Sequence, residues 1–177
     1  MRVLVVGGVR SGKSRLAEGI AARMAAGRAI IYIATARIGD DAEMARRVER
    51  HRLRRPGNWR TIETGGDPYA LPTRLEQLQD GPDVVLLDCL SLWVAEAIES
   101  PDGFDSRLRR IVASLAAMPR VVVVSLEAGL GLLPMEPVSR AFLDRLGDAN
   151  QAVAGVADSV VLSVAGQPLV LKGGPLP

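Results

Sequence analysis

One eight-residue segment near the N-terminus restricts the fold of this chain more than any other. It reads Gly7-Gly8-Val9-Arg10-Ser11-Gly12-Lys13-Ser14 and follows the pattern G-x-x-x-x-G-K-[ST]. A short apolar run at residues 3–6 precedes it, and apolar residues at helical spacing follow it. Glycines allow successive backbone N–H groups to point at phosphate oxygens, and the start of a helix adds partial positive charge. The segment therefore predicts a strand, a phosphate-binding loop and a helix, in that order.

Two side chains of the loop carry its expected chemistry. Lys13 is a mobile point charge that reaches the β and γ phosphates of a nucleotide in loops of this kind. The Ser14 hydroxyl is suited to ligate Mg²⁺. We therefore predict that residues 7–14 bind a nucleotide and that Ser14 is a magnesium ligand.

The rest of the chain alternates short β-branched runs with helical patterns. The predicted strands are residues 3–6, 29–34, 84–87, 121–125 and 160–164. The predicted helices are residues 13–26, 41–53, 68–79, 90–99, 106–118 and 136–154, the third capped by Asp67 with Pro68 in its first turn. Gly166-Gln167-Pro168 predicts a hairpin return into a last strand at residues 169–171.

This alternation predicts one α/β domain over residues 1–177. We expect a P-loop NTPase-type, mostly parallel sheet with helices on both faces and an antiparallel C-terminal edge strand. The chain contains no internal repeat and no linker that would divide it.

Composition excludes several classes of protein. The chain has 22 basic and 20 acidic residues, so its net charge of +2 gives no global case for a nucleic-acid binder. No apolar run approaches the roughly 20 residues that a spanning helix needs. Cys89 is the one cysteine, so no internal disulfide forms, and we expect a cytoplasmic protein. Twenty of the basic residues are arginines, and His51 is the one histidine.

A carboxylate is expected near the phosphate loop, on a neighbouring strand. Asp88 follows the apolar run at residues 84–87, at the strand end where ligands bind in open α/β sheets. Such a carboxylate holds Mg²⁺ directly or through water. The other interpretation is an N-cap for the helix at residues 90–99, since aspartate is a favoured cap.

His51 lies within the densest group of arginines in the chain, which are Arg46, Arg47, Arg50, Arg52, Arg54, Arg55 and Arg60. The group has the composition of a solvated helix face or a nucleic-acid patch. Met44, Val48 and His51 share one helical face, so a half-buried packing role is also open. A third interpretation is chemical, because a neutral imidazole is a nucleophile toward phosphorus and arginines bind phosphate oxygens bidentately.

Several segments beyond the loop carry a resemblance to one enzyme family. They are Tyr32-Ile33-Ala34-Thr35-Ala36, Asp41-Ala42-Glu43-Met44, His51-Arg52 with Arg55-Pro56, Trp59-Arg60-Thr61 and Glu63, Leu86-Leu87-Asp88-Cys89-Leu90, and Glu127-Ala128-Gly129-Leu130-Gly131 with Pro134, Arg140, Phe142, Asp144, Gly147 and Asn150-Gln151. With the phosphate loop, these segments are spread from residue 7 to residue 151. The chain resembles the bifunctional adenosylcobinamide kinase/adenosylcobinamide-phosphate guanylyltransferase family of cobalamin biosynthesis.

The resemblance implies two reactions. The family phosphorylates adenosylcobinamide with ATP or GTP, and then transfers GMP from GTP to that phosphate through a guanylylated histidine, whose position His51 occupies. Besides the loop, it implies nucleotide binding by Thr35, Ala36, Arg37, Arg52, Leu53, Arg54, Arg55, Glu63 and Asp88, with Mg²⁺ on Ser14 and Asp88. It also implies a homotrimer.

Three positions depart from the family pattern. Asp88 stands where glutamate is frequent, Leu126 where an asparagine is found, and Asp148 where an arginine often precedes Asn-Gln. The nucleotide and histidine motifs remain whole. Two other functions stay open on the residues alone: a small-molecule kinase in which His51 is structural, and a nucleotide-gated nucleic-acid binder that uses the arginine segment.

Overall fold

The computed structural model describes residues 1–37, 39, 41–81, 83–100 and 102–177. The side chain of Arg47, predicted as part of the arginine group, lies outside the described residues. The elements, in chain order, are β1 (Arg2–Gly7), α1 (Lys13–Ala25), β2 (Ile30–Ala34), α2 (Ala42–Arg54), β3 (Arg60–Glu63), α3 (Ala70–Leu78), β4 (Val84–Asp88), α4 (Leu90–Ala97), α5 (Phe104–Ala117), β5 (Val121–Leu126), α6 (Pro137–Val156), β6 (Ser159–Val164) and β7 (Gln167–Lys172).

The strands of the described residues form one sheet in the order β3-β2-β4-β5-β1-β6-β7. Every neighbouring pair is parallel except β6 with β7, which is antiparallel. The predicted fold class is therefore confirmed, including the antiparallel C-terminal edge. The parallel strands all end at one edge of the sheet, and this edge is where loops from β1, β2 and β4 meet.

Helices cover both faces of the sheet, as predicted, but unequally. On one face α1 packs through Ala17, Ile20 and Ala21 against alternate residues of the central strands. The other face carries α3, α4, α5 and α6, whose largest buried apolar side chains are Trp93 and Phe104, stacked at 5.4 Å between ring centroids. Helix α2 buries none of its described side chains fully. Its N-cap is Asp41, whose carboxylate accepts from the N–H groups of Glu43 and Met44 at 2.8 and 3.2 Å.

The expectation that Asp88 lies on a strand next to the phosphate-loop strand is wrong. Strand β5 lies between β1 and β4 and is paired in parallel with both. Its run of four valines is buried on both faces, which requires a central position in the sheet. The phosphate loop at the end of β1 and Asp88 at the end of β4 are therefore separated by strand β5.

Three other local predictions need correction. Helix α3 begins at Ala70 and not at residue 68, because the Asp67 carboxylate accepts from the Tyr69 N–H at 2.8 Å and closes a turn before the helix. The last hairpin turns at Ala165 and Gly166, with φ of 51° and 77°, so Gln167 and Pro168 already belong to β7. Strand β3 was not predicted, because its four residues include one apolar side chain.

Arg107 on α5 holds the connection between α4 and α5. Its side chain is 2% exposed. The guanidinium donates to the carbonyl oxygens of Ser100 at 2.6 Å, Asp102 at 2.9 Å and Ala97 at 3.3 Å. Backbone carbonyls at the end of α4 and in the described part of the connection thus accept from both terminal nitrogens of this buried cation, whereas its Nε has no hydrogen-bond partner within the described residues.

We expect Arg107→Ala to lower the free energy of unfolding by about 3 kcal/mol, because three carbonyl groups lose a charged donor inside the protein. Urea titration followed by circular dichroism measures this. Arg109→Ala, an exposed arginine on the same helix, is the matched control and should leave the midpoint unchanged. Equal losses in both variants would contradict the assignment.

Candidate active site

The phosphate-loop segment joins the carboxyl end of β1 to α1. Gly12 has a φ of 91°, and a Cβ at Gly7 would lie 2.6 Å from the backbone carbonyl oxygen of Ser163, so both positions require glycine. Lys13 Nζ donates to the carbonyl oxygen of Gly8 at 3.1 Å, which folds the lysine back over the loop. No side chain caps the first turn of α1 within the described residues. This leaves the positive end of the helix available to an anion.

Asp88 ends β4 as a buried carboxylate, 8% exposed, that is contacted from three directions. Tyr32 Oη of β2 donates to Oδ2, and Ser14 Oγ of α1 donates to Oδ1 at 3.3 Å. His51 Nδ1 of α2 lies 3.3 Å from Oδ2. Burial would raise the pKa of Asp88, but hydrogen bonds from His51, Tyr32 and Ser14 outweigh it and hold that pKa below its usual range. Asp88 is therefore ionised at neutral pH.

The ionised Asp88 carboxylate influences where the protons of Tyr32 and His51 lie. Burial, followed by the adjacent carboxylate, raises the pKa of Tyr32, so its hydroxyl keeps the proton that it donates. An ionised Asp88 can only accept, so we assign the His51 proton to Nδ1, which donates to the carboxylate. Arg54 Nη2 lies 3.4 Å from the same ring nitrogen. The assignment leaves the lone pair of the imidazole on Nε2.

Asp88 is not a helix cap. The residue before α4 is Cys89, and no side chain caps this helix among the described residues. The carboxylate is engaged by Tyr32, Ser14 and His51 instead, so the cap interpretation of the sequence is wrong. The Thr35 hydroxyl organises the β4–α4 connection, because it donates to the Cys89 carbonyl at 2.6 Å and accepts from the Cys89 N–H at 2.9 Å.

A cavity of about 200 Å³, here called the inner cavity, opens beside Asp88. Its wall on α2 consists of Met44, Val48 and His51, so the helical face predicted from their spacing is present. The predicted site residues that line it are Val9, Lys13, Ser14, Ala36, His51, Arg52, Arg55, Glu63 and Asp88. Sheet register explains part of this grouping, since Ala34 pairs with both Glu63 and Asp88.

Two arginines are held in place at the wall of the inner cavity. Arg52 Nη2 donates to Glu63 Oε1 at 2.5 Å, which joins α2 to the end of β3. The Arg55 guanidinium lies 3.6 Å from the centroid of the Tyr32 ring, and its Nη1 donates to Thr61 Oγ1 at 3.4 Å. Arg55 Nε is buried and has no hydrogen-bond partner within the described residues. The cavity therefore combines an apolar wall with charged groups at its edge.

A second depression, here called the arginine cleft, lies between α1 and α2 on the outer side of the loop. Predicted residues Arg10, Ser11, Gly12 and Arg54 line it, and it shares Val9, Lys13, Ser14 and His51 with the inner cavity. Five predicted residues, Gly7, Gly8, Thr35, Arg37 and Leu53, line neither space. Thr35 is buried below the site, and Leu53 is 77% exposed.

Sequence reasoning missed Tyr32 as a site residue, although it contacts Asp88 and forms part of the inner cavity. Its signal was the period of two along β2, which places Ile30, Tyr32 and Ala34 on the face that α1 covers. Leu126 and Leu92 also line the cavity and were not predicted. They carry no chemical signal in the sequence, because an apolar residue at the end of a strand (Leu126) or within an apolar helix (Leu92) looks like a core residue.

The two other departures from the family pattern have local partners. Leu126, at the end of β5, lines the inner cavity, and its carbonyl oxygen accepts from Asn150 Nδ2 at 3.0 Å. Asp148, one turn along α6 from Arg145, lies 3.9 Å from that guanidinium. The side chain at position 148 is therefore placed on the exposed side of α6 and not in either cavity.

The donor set beside the loop fits Mg²⁺. Ser14 Oγ and Asp88 Oδ1 are hard oxygen ligands only 3.3 Å apart. The described residues contain no cluster of three or more acidic, histidine or cysteine side chains that could hold a metal by itself. A pair of hard oxygen ligands suits an ion that keeps several waters and shares phosphate oxygens, as Mg²⁺ does in nucleotide sites.

Comparison with known proteins identifies the family. The model of the family described as "Cobinamide kinase / cobinamide phosphate guanyltransferase" matches residues 3–171. The chain belongs to this family. It is 43% identical over 179 residues to "Bifunctional adenosylcobalamin biosynthesis protein CobP" of Pseudomonas aeruginosa, covering 99% of this chain and 100% of that protein. It is 35% identical over 188 residues to the Escherichia coli protein of the same description, CobU, covering 97% of this chain and 100% of that protein.

Solved structures support the fold of this cobinamide kinase/guanyltransferase family member. An ATPase from the type III secretion system of pathogenic bacteria has a TM-score of 0.54 and 18% identity, over 91% of this chain and 50% of that chain. A KaiC-like protein, PH0186 from Pyrococcus horikoshii, has a TM-score of 0.52 and 11% identity, over 91% of this chain and 69% of that one. The resemblance found in the sequence and the P-loop NTPase fold are both confirmed.

We expect the Asp88 carboxyl of this family member to titrate below the ordinary aspartate range, and Tyr32→Phe to raise its pKa. The variant removes one of the donors that offset burial, so burial weighs more heavily in the balance. Carbon-13 NMR of the side-chain carboxyl against pH measures both values. Tyr69→Phe, at the one other tyrosine, is the control and should not move the Asp88 titration; a lower pKa in Tyr32→Phe would refute the explanation.

Proposed function

We propose that this protein catalyses both reactions named for its family. It phosphorylates the hydroxyl of adenosylcobinamide with ATP or GTP, and then transfers GMP from GTP to that phosphate to give adenosylcobinamide-GDP. The observation that carries the second step is the contact between His51 Nδ1 and the buried Asp88 carboxylate, beside the phosphate loop. The competing candidate is a P-loop small-molecule kinase without guanylyltransferase activity, in which His51 only packs against Met44 and Val48.

For the kinase step, the phosphate loop binds the nucleotide phosphates. Its backbone N–H groups and the uncapped start of α1 provide donors, and Lys13 provides a charge for the β and γ phosphates. The substrate hydroxyl oxygen attacks the γ-phosphorus and its proton passes to solvent. A new O–P bond forms, and the nucleoside diphosphate leaves with the electron pair of the broken P–O bond. Most of the catalysis in this step is positioning and charge stabilisation.

For the guanylyl step, His51 is the nucleophile. Its Nε2 attacks the α-phosphorus of GTP, an N–P bond forms, and pyrophosphate leaves. The imidazole keeps its proton on Nδ1, where Asp88 stabilises the positive charge that develops on the ring. The substrate phosphate then attacks the same phosphorus, the N–P bond breaks, and its electrons return to Nε2. One difficult displacement is thereby divided into two.

Mg²⁺ would be held by Ser14 and Asp88, and it would neutralise charge on the nucleotide phosphates. We assign nucleotide contacts to residues 7–14 and to Ala36, Arg52, Arg54, Arg55 and Glu63. The unpartnered Arg55 Nε and the edge position of Glu63 favour polar contacts with the nucleotide. For Thr35, Arg37 and Leu53, the resemblance alone supports a nucleotide role; the buried Thr35 hydroxyl bonds to Cys89 instead.

We further propose that residues 1–177 act as one catalytic unit within a homotrimer. A group of exposed apolar side chains in the β5–α6 connection and the first turn of α6 favours contact between subunits: Leu130, Leu132, Leu133, Met135 and Val138 are each at least 66% exposed. No helix of the described residues is long and apolar enough to cross a membrane. The free thiol of Cys89 suits a reducing compartment, so we assign the protein to the cytoplasm.

The first test is covalent labelling with GTP labelled at the α-phosphate, in the presence of Mg²⁺. After denaturation, we expect label on the wild-type protein in an acid-labile, base-stable bond, and none on His51→Ala, because no other residue offers an imidazole. Arg46→Ala, an exposed position on the same helix, should label like the wild type.

The kinase assay on the same preparations distinguishes the two candidates. His51→Ala should phosphorylate adenosylcobinamide at close to the wild-type rate. An unlabelled wild-type protein would support the kinase-only candidate. Undiminished label in His51→Ala would show that another residue carries GMP and would overturn the assignment of His51 as the nucleophile. Equal loss of both activities would indicate a structural role for His51.

Lys13→Ala should reduce the kinase turnover by at least about a thousandfold, because the transferred phosphoryl group loses its mobile cation. Steady-state rates with ATP and with GTP measure the loss. A variant with wild-type turnover would show that the loop is not the phosphoryl-donor site. The other lysine offers a control, since Lys172→Ala removes the same charge from β7 and should leave turnover unchanged.

A further inference from the structure

The arginine cleft carries more positive charge than the nucleotide motifs alone explain. Its volume is about 730 Å³, and one carboxylate, Glu43, lines it among the described residues. Its cationic side chains come from the loop, from α1 and from α2. They are Arg10, Lys13, Arg15, Arg23, Arg50 and Arg54.

Part of this charge is not neutralised by neighbouring side chains. Arg54 Nη2 pairs with Glu18 Oε1 at 3.1 Å, and Arg23 Nε donates to the carbonyl of Pro177. The side chains of Arg10 and Arg15 form no ion pair or hydrogen bond within the part of the chain that the structure describes. Among the described residues, Arg50 donates only to the Arg46 carbonyl of its own helix, at 3.4 Å. Guanidinium groups in this state bind multiply charged oxyanions strongly.

His51 lies at the boundary between this cleft and the inner cavity. Val9, Lys13, Ser14 and His51 line both spaces. The inner cavity has the apolar wall that a nucleoside requires, whereas the cleft has the cations that phosphates require. A nucleoside triphosphate that spans the boundary would have its α-phosphate at His51 and its outer phosphates in the cleft.

The proposed double displacement limits where the second substrate enters. Phosphoryl and nucleotidyl displacements place the attacking and leaving groups roughly in line. When Nε2 attacks, pyrophosphate leaves from the side opposite the new N–P bond. When that bond breaks again, the incoming phosphate must approach from this same side. Pyrophosphate and the acceptor phosphate therefore need the same cations, one after the other.

We propose that the arginine cleft is a shared binding site for pyrophosphate and for the phosphate monoester of the acceptor, with Arg15 and Arg50 as binding residues from opposite walls. This rests on the proposed function. In the return reaction, an oxygen of pyrophosphate attacks the phosphorus on His51, the N–P bond breaks, and GTP is released. In the forward reaction, the acceptor phosphate does the same and gives the GDP ester.

The test uses the isolated guanylylated protein. It is prepared with saturating labelled GTP, freed of nucleotide, and mixed with increasing pyrophosphate or with increasing cobinamide phosphate. Formation of GTP or of the GDP ester gives a half-saturating concentration for each. We expect Arg50→Ala and Arg15→Ala to raise both concentrations about tenfold or more, since each loses a charged hydrogen-bond donor. Arg46→Ala is the matched control on α2, and it should raise neither.

The outcomes distinguish failure of the shared binding site from failure of the proposed guanylyl transfer. A shift for both ligands in Arg50→Ala and Arg15→Ala, with none in Arg46→Ala, supports the shared site. Unchanged concentrations, an equal shift in Arg46→Ala, or a shift for one ligand alone would overturn it. Label that never attaches to the wild-type protein would overturn the proposed function first, and the cleft assignment with it. Normal labelling of the variants at saturating GTP shows that they are folded.

Discussion

The site depends on one buried carboxylate. Asp88 loses hydration at the end of β4, and it remains ionised because three elements bring donors to it: Ser14 from α1, Tyr32 from β2 and His51 from α2. A buried charge without such donors would be costly. The same contacts hold the phosphate loop and the histidine helix against one sheet edge. In the proposed enzyme, Asp88 would therefore both bind Mg²⁺ and orient the nucleophile His51.

The order of the strands determines how these parts meet. Because β5 is apolar on both faces, it occupies the centre and separates β1 from β4. A space consequently opens above the end of β5, where Leu126 lines the inner cavity. Helix α2 lies over the sheet edge with no fully buried residue among its described side chains. It brings apolar Met44 and Val48 to the wall of the inner cavity and His51 to Asp88. The arginines on the far side of His51 then form a second, charged space next to the first.

Much of the fold was predictable because its signals are local. The phosphate loop, the buried strands and the helices follow from glycine placement, β-branched runs and helical spacing. Strand β3 escaped prediction because Arg60–Glu63 contains a single apolar residue, and it forms only by pairing with β2. The turn of the last hairpin lies earlier than predicted. It depends on positive φ at Ala165 as well as Gly166, and alanine gives no signal for that conformation.

The sequence by itself determined which residues carry reactive groups and which family the chain belongs to, because a single histidine and a lysine inside a phosphate loop are properties of the chain. Only the tertiary structure decided their relations. It placed Tyr32 and His51 on Asp88, buried the Thr35 hydroxyl below the site, and set Arg15 opposite Arg50 across one cleft. These relations depend on strand order and on helices packing from different parts of the chain, and no local pattern encodes the distance between residues so far apart in sequence.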